Sequence, residues 1–245
     1  WDVSNATDFR WMFTNDTSLT EINGLSGWDV SNATQLSNMF SGDSSLKSMD
    51  LSNWKTSKVT DLSNLFNGDT ALQTVNMSNM DLRNVNNFNF MFIGATSLSK
   101  IDFRNTRFLD SDKIQSYYFN STNPIVELSG AQKVPKFLFD MLKSSKAKTI
   151  DLRNTSLASN ITDLSTAFYN DQAVEEIDMT GFDTSHITDM NHMFANCSAL
   201  TSLNLSWGGN TKNVKNFAWM FANDNKLQTI DGIGEWNVSN ATDIS

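Results

Sequence analysis

The chain repeats itself about every 26 residues, and this periodicity restricts the available folds more than any other feature. An apolar–aromatic pair recurs at Met12-Phe13, Met39-Phe40, Leu65-Phe66, Met91-Phe92, Ala167-Phe168, Met193-Phe194 and Met220-Phe221. The phenylalanines are 26 or 27 residues apart, except for one gap of 76 residues, which two degenerate pairs fill, Tyr118-Phe119 and Met141-Leu142. Because one repeat cannot bury a core alone, the sequence predicts a solenoid of about nine stacked coils.

A second signature predicts one short strand in each coil. It reads Leu-x-x-aliphatic-Asp/Asn-apolar, as in 46–51 and 200–205, and its end alternates apolar with polar residues as half-buried strands do. Stacked strands form a parallel sheet with a spacing of about 4.8 Å. In 59–66 the apolar residues stand at helical spacing, which predicts one or two turns of helix opposite the strand.

These elements together predict the fold class. It is α/β, a leucine-rich-repeat-like curved solenoid with short parallel strands on the concave side and short helices or turns on the convex side. The curvature follows because a helix, about 10 Å wide, is broader than the strand spacing. The phenylalanines are then core residues, one per coil, and no cofactor is needed to explain them.

The same phrase opens and closes the chain, at 1–8 and 236–243. Neither end carries the polar capping unit that solenoids need for solubility. We therefore expect residues 1–245 to be a single repeat-array domain from a longer protein, with a degenerate central section at about 104–156.

Charge and composition exclude several classes of function. The net charge of -9 repels phosphate backbones, so nucleic acid is not an expected partner. The single cysteine, Cys197, excludes an intrachain disulfide, and no run of about 18 apolar residues predicts membrane insertion. Phosphate-binding loops, dinucleotide fingerprints and a Ser-His-Asp order are all missing from the sequence. We expect a monomer in isolation that is not an enzyme and has no cofactor.

Two residue types that often mark a site have simpler explanations here. His186 and His192 lie six residues apart without a second pair, which does not predict zinc. Cys197 occupies the repeat position that elsewhere holds Asp16, Asp43, Asp69, Asp171 and Asp224. We interpret Cys197 as a small, half-buried turn residue and not as a nucleophile.

The repeats resemble a known family. The stretches 182–194 and 195–200 are similar to the repeat of BspA-like leucine-rich-repeat surface proteins, which occur in lactobacilli, related Gram-positive bacteria and mycoplasmas. The resemblance covers residues 1–103 and 157–245 and is lost across 104–156. It implies an exported, wall-attached parent protein, an extracellular location on the bacterial cell surface, and a role in adhesion.

The polar residue near the end of each strand is the main candidate for ligand contact. These residues are Asp50, Asn76, Asp102, Asp151, Asp178, Asn204 and Asp231. They form either a side-chain ladder that solubilises the sheet or a groove that bonds glycan hydroxyls or a peptide. No metal site is predicted, although the adjacent acidic pair Asp151 and Asp178 is a weak calcium candidate.

The degenerate section contains a basic cluster. Residues 104–153 hold nine of the 18 basic residues against five acidic ones, a net charge of +4. Its candidates are Arg104, Lys133, Lys136, Lys143, Lys146, Lys148 and Arg153. They either bind an acidic partner, such as sialylated mucin or a wall polyanion, or form the solvated face of a short helix.

Aromatic residues stand before some of the apolar–aromatic pairs, where other repeats have polar ones. They are Trp11, Phe90, Tyr117 and Trp219. Such rings stack on sugars when exposed and otherwise pack across the convex side. The leading prediction is an adhesin segment that recognises host or matrix glycoconjugates or proteins through the concave sheet. The alternative is a structural stalk that projects another domain and has no ligand of its own.

Overall fold

The computed structural model describes residues 1–111, 113–120 and 122–245, which form two compact units, Trp1–Val126 and Glu127–Ser245. In each unit short strands stack in parallel, so the predicted solenoid architecture is confirmed. The strands mark about seven coils, fewer than the nine expected from the sequence. The boundary between the units falls inside the section that the sequence marks as degenerate.

The first unit is built on a four-stranded parallel sheet. Its strands are β1 (Ser48–Asp50), β2 (Thr74–Asn76), β4 (Lys100–Asp102) and β6 (Ile125–Glu127), in the order β1-β2-β4-β6. A smaller parallel pair joins β3 (Asp81–Leu82) to β5 (Arg107–Phe108). A 3-10 helix spans Leu25–Gly27.

The second unit begins with an α-helix and continues as a four-stranded parallel sheet. The helix is α1 (Lys136–Leu142), and the strands are β7 (Thr149–Asp151), β8 (Glu176–Asp178), β9 (Ser202–Asn204) and β10 (Thr229–Asp231), which neighbour one another in chain order. Two 3-10 helices span Gly208–Asn213 and Ile233–Glu235. None of the helices in the described ranges has the length and apolar character needed to cross a bilayer.

The strands lie where the Leu-x-x-aliphatic-Asp/Asn signature predicts them. Their middle residues, such as Met49, Val75 and Ile177, are buried, and the residues on either side are largely more exposed. The register is in phase from coil to coil, since Ser48 pairs with Thr74 and Thr74 with Lys100. Each coil therefore presents equivalent residues at equivalent places.

The helix predicted in 59–66 is wrong. The N–H groups of Leu62, Asn64 and Phe66 donate to carbonyl oxygens of the next coil at 2.9 Å, so they cannot close helical hydrogen bonds within the segment. Asn64 has a φ of 55°, which turns the chain out of a right-handed helix. Within the described residues α1 is the only α-helix, and turns and isolated bridges replace the expected convex helices elsewhere.

The phenylalanine column forms the centre of each unit, as predicted. In the first unit Phe40 and Phe66 lie 5.5 Å apart between ring centroids, with an angle of 7° between the planes. In the second unit Phe168 and Phe194 lie 5.5 Å apart and 1° from parallel. All four rings are fully buried. Parallel stacking with one ring per coil lets the core continue as long as the repeat does.

The two degenerate pairs depart from this column. The chain around Tyr118 is shifted by one residue, because Phe92 donates its N–H to Phe119, as Phe66 does to Met91. Phe119 consequently meets Phe92 edge-on, at 82° between planes. The pair Met141-Leu142 lies within α1. The ring that contacts Phe168 comes instead from Phe139, two residues before Met141.

Candidate binding surface

The predicted strand-end residues fall into two registered rows, one in each unit. Asp50, Asn76 and Asp102 pair in order in the first unit. The second unit brings together Asp151, Asp178, Asn204 and Asp231 in the same manner. Exposure differs along each row: Asp50 and Asp231 are exposed, whereas Asp102 is buried.

These residues use one side-chain oxygen locally. In six of the seven, Oδ1 accepts the backbone N–H two residues further on, as from Ser52 to Asp50 at 3.0 Å and from Ser78 to Asn76 at 3.0 Å. This is an Asx turn, which ends the strand and directs the chain into the next segment. The rows therefore have a structural role, and their remaining polar atoms are what a ligand would meet.

The acidic neighbours Asp151 and Asp178 are bridged by Arg153. The Nη2 atom of Arg153 lies 2.6 Å from Oδ2 of Asp151, and its Nε lies 3.8 Å from Oδ2 of Asp178. Hydrogen bonds from Arg153 lower the pKa of Asp151. A guanidinium thus supplies the positive charge that calcium would bring, and no cluster of three or more His, Cys, Asp or Glu side chains suited to a metal occurs in the described ranges.

The predicted basic cluster is divided and largely neutralised. Arg104 lies in the first unit and the other six candidates, Lys133, Lys136, Lys143, Lys146, Lys148 and Arg153, lie in the second. Ion pairs within the described residues join Arg104 to Asp102, Lys136 to Asp140, Lys148 to Glu175 and Arg153 to Asp151. Lys143 donates to the carbonyl of Thr166 at 3.2 Å and lies 5.7 Å from the ring centroid of Tyr169.

In each unit a column of buried carboxyl groups runs beside the core. Oδ1 of Asp43 accepts the N–H of Asp16 at 2.9 Å, and Oδ1 of Asp69 accepts that of Asp43 at 3.0 Å. Oδ2 has no partner in Asp43, Asp69, Asp171 or Asp224. Burial raises the pKa of Asp43 to about 7, of Asp69 to about 8 and of Asp224 to about 6.

Cys197 belongs to this column in the second unit and is fully buried, not half-buried as the sequence suggested. Its N–H donates to Asp224 at 2.8 Å, and its thiol donates to the carbonyl of Phe168 at 3.0 Å. Burial raises the pKa of the thiol to about 12, so the group stays protonated near neutral pH.

The aromatic residues before the apolar pairs occupy a strained backbone position and are exposed. Trp11, Phe90 and Trp219 have φ values of 59°, 59° and 57°, and their exposed fractions are 57%, 38% and 57%. In the coil after Phe90 the equivalent residue is Tyr118, with φ 46°, and not Tyr117, because of the one-residue shift. Phe90 stacks on Tyr118 at 5.8 Å and Trp219 on His192 at 6.2 Å, so part of each ring packs against a neighbouring coil while the rest is exposed.

We call this position the left-handed slot. In the first unit it holds Trp11, Asn38, Asn64, Phe90 and Tyr118, and in the second it holds Thr166, His192 and Trp219. The alternation of polar and aromatic residues marked this position in the sequence, but its left-handed backbone was not predicted. Asn38 and Asn64 were the signal for it, because asparagine tolerates positive φ better than other residues with a side chain.

The family comparison agrees with the repeat analysis. A family model described as "Mycoplasma protein of unknown function, DUF285" matches residues 1–118 and 136–245. The unmatched stretch lies within the degenerate section and includes the start of the second unit. No curated protein is similar enough to the chain to count as a match. The matched segments cover most of the chain, which therefore belongs to this DUF285 family of mycoplasma-type repeat proteins.

Proposed function

We propose that the chain is a binding module of a bacterial surface protein that recognises host or matrix glycoconjugates or proteins through its strand faces. The finer assignments belong to the same proposal: a BspA-like, leucine-rich-repeat type of α/β solenoid, nine repeats counting the degenerate ones, and an extracellular location. Resemblance of the repeat phrases supports these assignments.

One observation carries the proposal. On the strand faces a fixed frame supports variable positions: the middle residues are aliphatic or Met and, apart from Ile230, buried, whereas the first residues change from coil to coil. That first position reads Ser48, Thr74, Lys100 and Ile125 in the first unit, and Thr149, Glu176, Ser202 and Thr229 in the second. Variation on a constant frame is how solenoids form extended recognition surfaces.

The alternative is a stalk without a ligand, and the Asx turns favour it. A row whose oxygen atoms close strand-end turns has an architectural reason to be polar in every coil. If the rows serve only the backbone, the chain needs no partner, and its length alone is the useful property.

Binding to immobilised mucin, fibrinogen and collagen separates the two proposals. We expect the chain to be retained on at least one of them, and Thr74→Arg or Glu176→Arg to weaken retention because each places a bulky cation on a strand face. Passage through all three surfaces without retention would contradict the binding module and favour the stalk.

The matched control is Ser57→Arg, which adds the same side chain at an exposed residue outside the strands. All three variants change surface residues, and we expect their free energies of unfolding to stay within roughly 0.5 kcal/mol of the wild type. Equal loss of retention in Ser57→Arg would indicate a nonspecific charge effect and would count against the strand faces.

A further inference from the structure

The left-handed slot of the first unit carries exposed aromatic rings that the fold does not require. Asparagine fills the slot at Asn38 and Asn64, whereas Trp11 and Phe90 fill it at either end of that pair. Positive φ is unfavourable for a bulky side chain, and 57% of Trp11 and 38% of Phe90 remain exposed, so each position combines a backbone cost with a ring that solvent can reach. Backbone strain combined with an exposed ring points to a selected function.

From this geometry we propose that the slot of the first unit is a carbohydrate-binding stripe for neutral pyranose oligosaccharides. Trp11 and Phe90 provide stacking platforms, and the amides of Asn38 and Asn64 between them bond sugar hydroxyls. The inference deepens the proposed function, on which it rests, by naming a ligand class and a surface other than the strand faces.

The stacking rings are held in place before any ligand arrives. The guanidinium of Arg10 lies 5.2 Å from the ring centroid of Trp11 and is itself fixed by Asp8, at 2.6 Å. Phe90 stacks on Tyr118 of the next coil at 5.8 Å, with 18° between the planes. Preorganised rings lose little conformational entropy when a sugar stacks on them.

The spacing suits a ligand that extends along the coils. Trp11 and Phe90 stand three coils apart, which corresponds to about 14 Å at the usual spacing of parallel strands. The side chains of Asn38 and Asn64 are half-buried between them. Oδ1 of Asn64 already accepts a hydrogen bond from Asn67 at 2.8 Å, so its amide group is oriented. An oligosaccharide laid along the stripe would meet ring, amide, amide and ring in turn.

Backbone pairing disfavours a peptide that binds here by strand addition. The N–H groups of Asn38, Asn64 and Phe90 donate to carbonyls of the following coil at 3.0, 2.9 and 2.8 Å. A peptide that binds by strand addition needs backbone groups that are still available along an edge. What the stripe offers instead is amides and aromatic faces, the groups that recognise the hydroxyls and the apolar faces of sugar rings.

The test uses the intact 245-residue chain and three probes: cellohexaose, chitohexaose and neutral glycans released from mucin. Calorimetric titration should show saturable binding of at least one probe, with a change in tryptophan fluorescence. Trp11→Asn and Phe90→Asn should each weaken binding about tenfold, and the double variant about a hundredfold. Trp11→Phe and Phe90→Trp keep a ring and should retain most of the affinity.

Stability measurements separate binding from architecture. Asparagine is the residue that neighbouring coils use in the slot, so the thermal midpoint of Trp11→Asn should stay level or rise by roughly 2–4 °C. A structural role for the ring predicts a lower midpoint instead. Trp1→Ser is the control: it removes another exposed aromatic ring of the same unit, 86% exposed and outside the slot, and should leave binding unchanged.

Each result that contradicts these expectations rules out either the carbohydrate-binding stripe alone or the proposed function as well. If the double variant binds the oligosaccharide probes as the wild type does, the stripe is wrong and the proposed function stands. Retention only on deglycosylated polypeptide overturns the stripe in favour of a protein partner. Failure of the wild type to bind any glycan overturns the stripe, and failure to bind the intact proteins as well overturns both proposals.

Discussion

The two units both have a column of aromatic rings at their centre, but the stacking of these rings is more regular in the first unit than in the second. In the first unit, Trp1–Val126, four phenylalanines from Phe13 to Phe92 stack nearly parallel, with centroid distances of 5.5 to 5.7 Å. In the second unit the regular column begins only at Phe168, and Phe139 of α1 approaches it edge-on at 70°. A helix therefore replaces a regular coil where the repeat sequence has degenerated.

This difference shows which features a coil needs in order to stack on its neighbour. A ring in the column is kept in both units, even where α1 provides it. The row of N–H donors into the next coil runs through both units but is interrupted at α1, where Leu138 and Phe139 donate to Pro135 at the start of the helix. Apolar contact can therefore be supplied by several backbone shapes, whereas coil-to-coil hydrogen bonding demands the repeat phrase.

Truncation of the core rings should change the free energy of unfolding more than any other substitution, and it tests the difference between the two units directly. Phe66→Ala should cost about 5 kcal/mol of unfolding free energy, because two parallel neighbours fix the walls of the cavity left behind. Phe139→Ala should cost nearer 3 kcal/mol, since a short helix can shift toward the space. Urea denaturation followed by circular dichroism measures both values. Equal costs would mean that the regular stack has no special rigidity.

The buried carboxyl column predicts the next largest effect, which depends on pH. The folded pKa of Asp69, about 8, lies above its unfolded value of 3.8, so the protonated group adds stability. That stability is complete below about pH 4 and is lost as the pH rises through 8. Asp69→Asn keeps an acceptor for the N–H of Asp43 without the charge. It should raise stability above pH 8 by on the order of 2 kcal/mol and flatten the pH profile.

In the second unit the same column contains an uncharged thiol between two acids, which gives the reciprocal test. Cys197→Asp should destabilise this unit near neutral pH and do so less at pH 4, because it adds a third buried carboxyl group. Thermal melts from pH 4 to 9, with hydrogen exchange to locate the change, measure both variants. Asp50→Asn is the control, an exposed acid whose replacement should leave the profile unchanged. A pH profile unchanged by both Asp69→Asn and Cys197→Asp would show that water reaches these groups.

The phase of the repeat was enough to predict the strands and the phenylalanine column. The strands and the column both require an apolar residue at a fixed position of each coil, and the sequence shows that residue directly. The fold of 59–66 was not predictable in the same way, because its apolar spacing fits a helix as well as a chain of reversed turns. The hydrogen bonds that decide between them run to residues 25 positions away.

The surface was less predictable than the core. Carboxylates at strand ends suggested a groove, yet their Oδ1 atoms close local turns. In two coils the arginine two residues later also forms an ion pair with the carboxylate, Arg104 with Asp102 and Arg153 with Asp151. The Asp-x-Arg spacing was visible in the sequence and would have indicated these pairs. Burial of Asp43 and Asp69 was not visible, because an aspartate at a turn looks the same whether or not the neighbouring coil covers it.

Exchange of the slot residues Asn64 and Thr166 between the units should change the thermal midpoint by smaller amounts, in opposite directions. Thr166 holds the slot in the second unit with a φ of 58°, a conformation that a β-branched residue adopts at a cost of about 1 kcal/mol or more. Thr166→Asn should raise the thermal midpoint by roughly 2–4 °C, and Asn64→Thr should lower it by a similar amount. Differential scanning calorimetry measures both. Changes of the same sign would show that side-chain contacts, and not backbone strain, determine the slot.

The smallest effect is expected from the lysines of the degenerate section. Lys148 pairs with Glu175 at 2.7 Å, but its side chain is 74% exposed, so solvent screens most of the attraction. Lys148→Gln should leave the thermal midpoint unchanged at moderate salt, whereas Phe139→Ala in the same unit lowers it clearly. Parallel melts at low and high salt measure the difference. A fall of more than about 2 °C in Lys148→Gln would indicate that charge pairs compensate for the irregular packing of this unit.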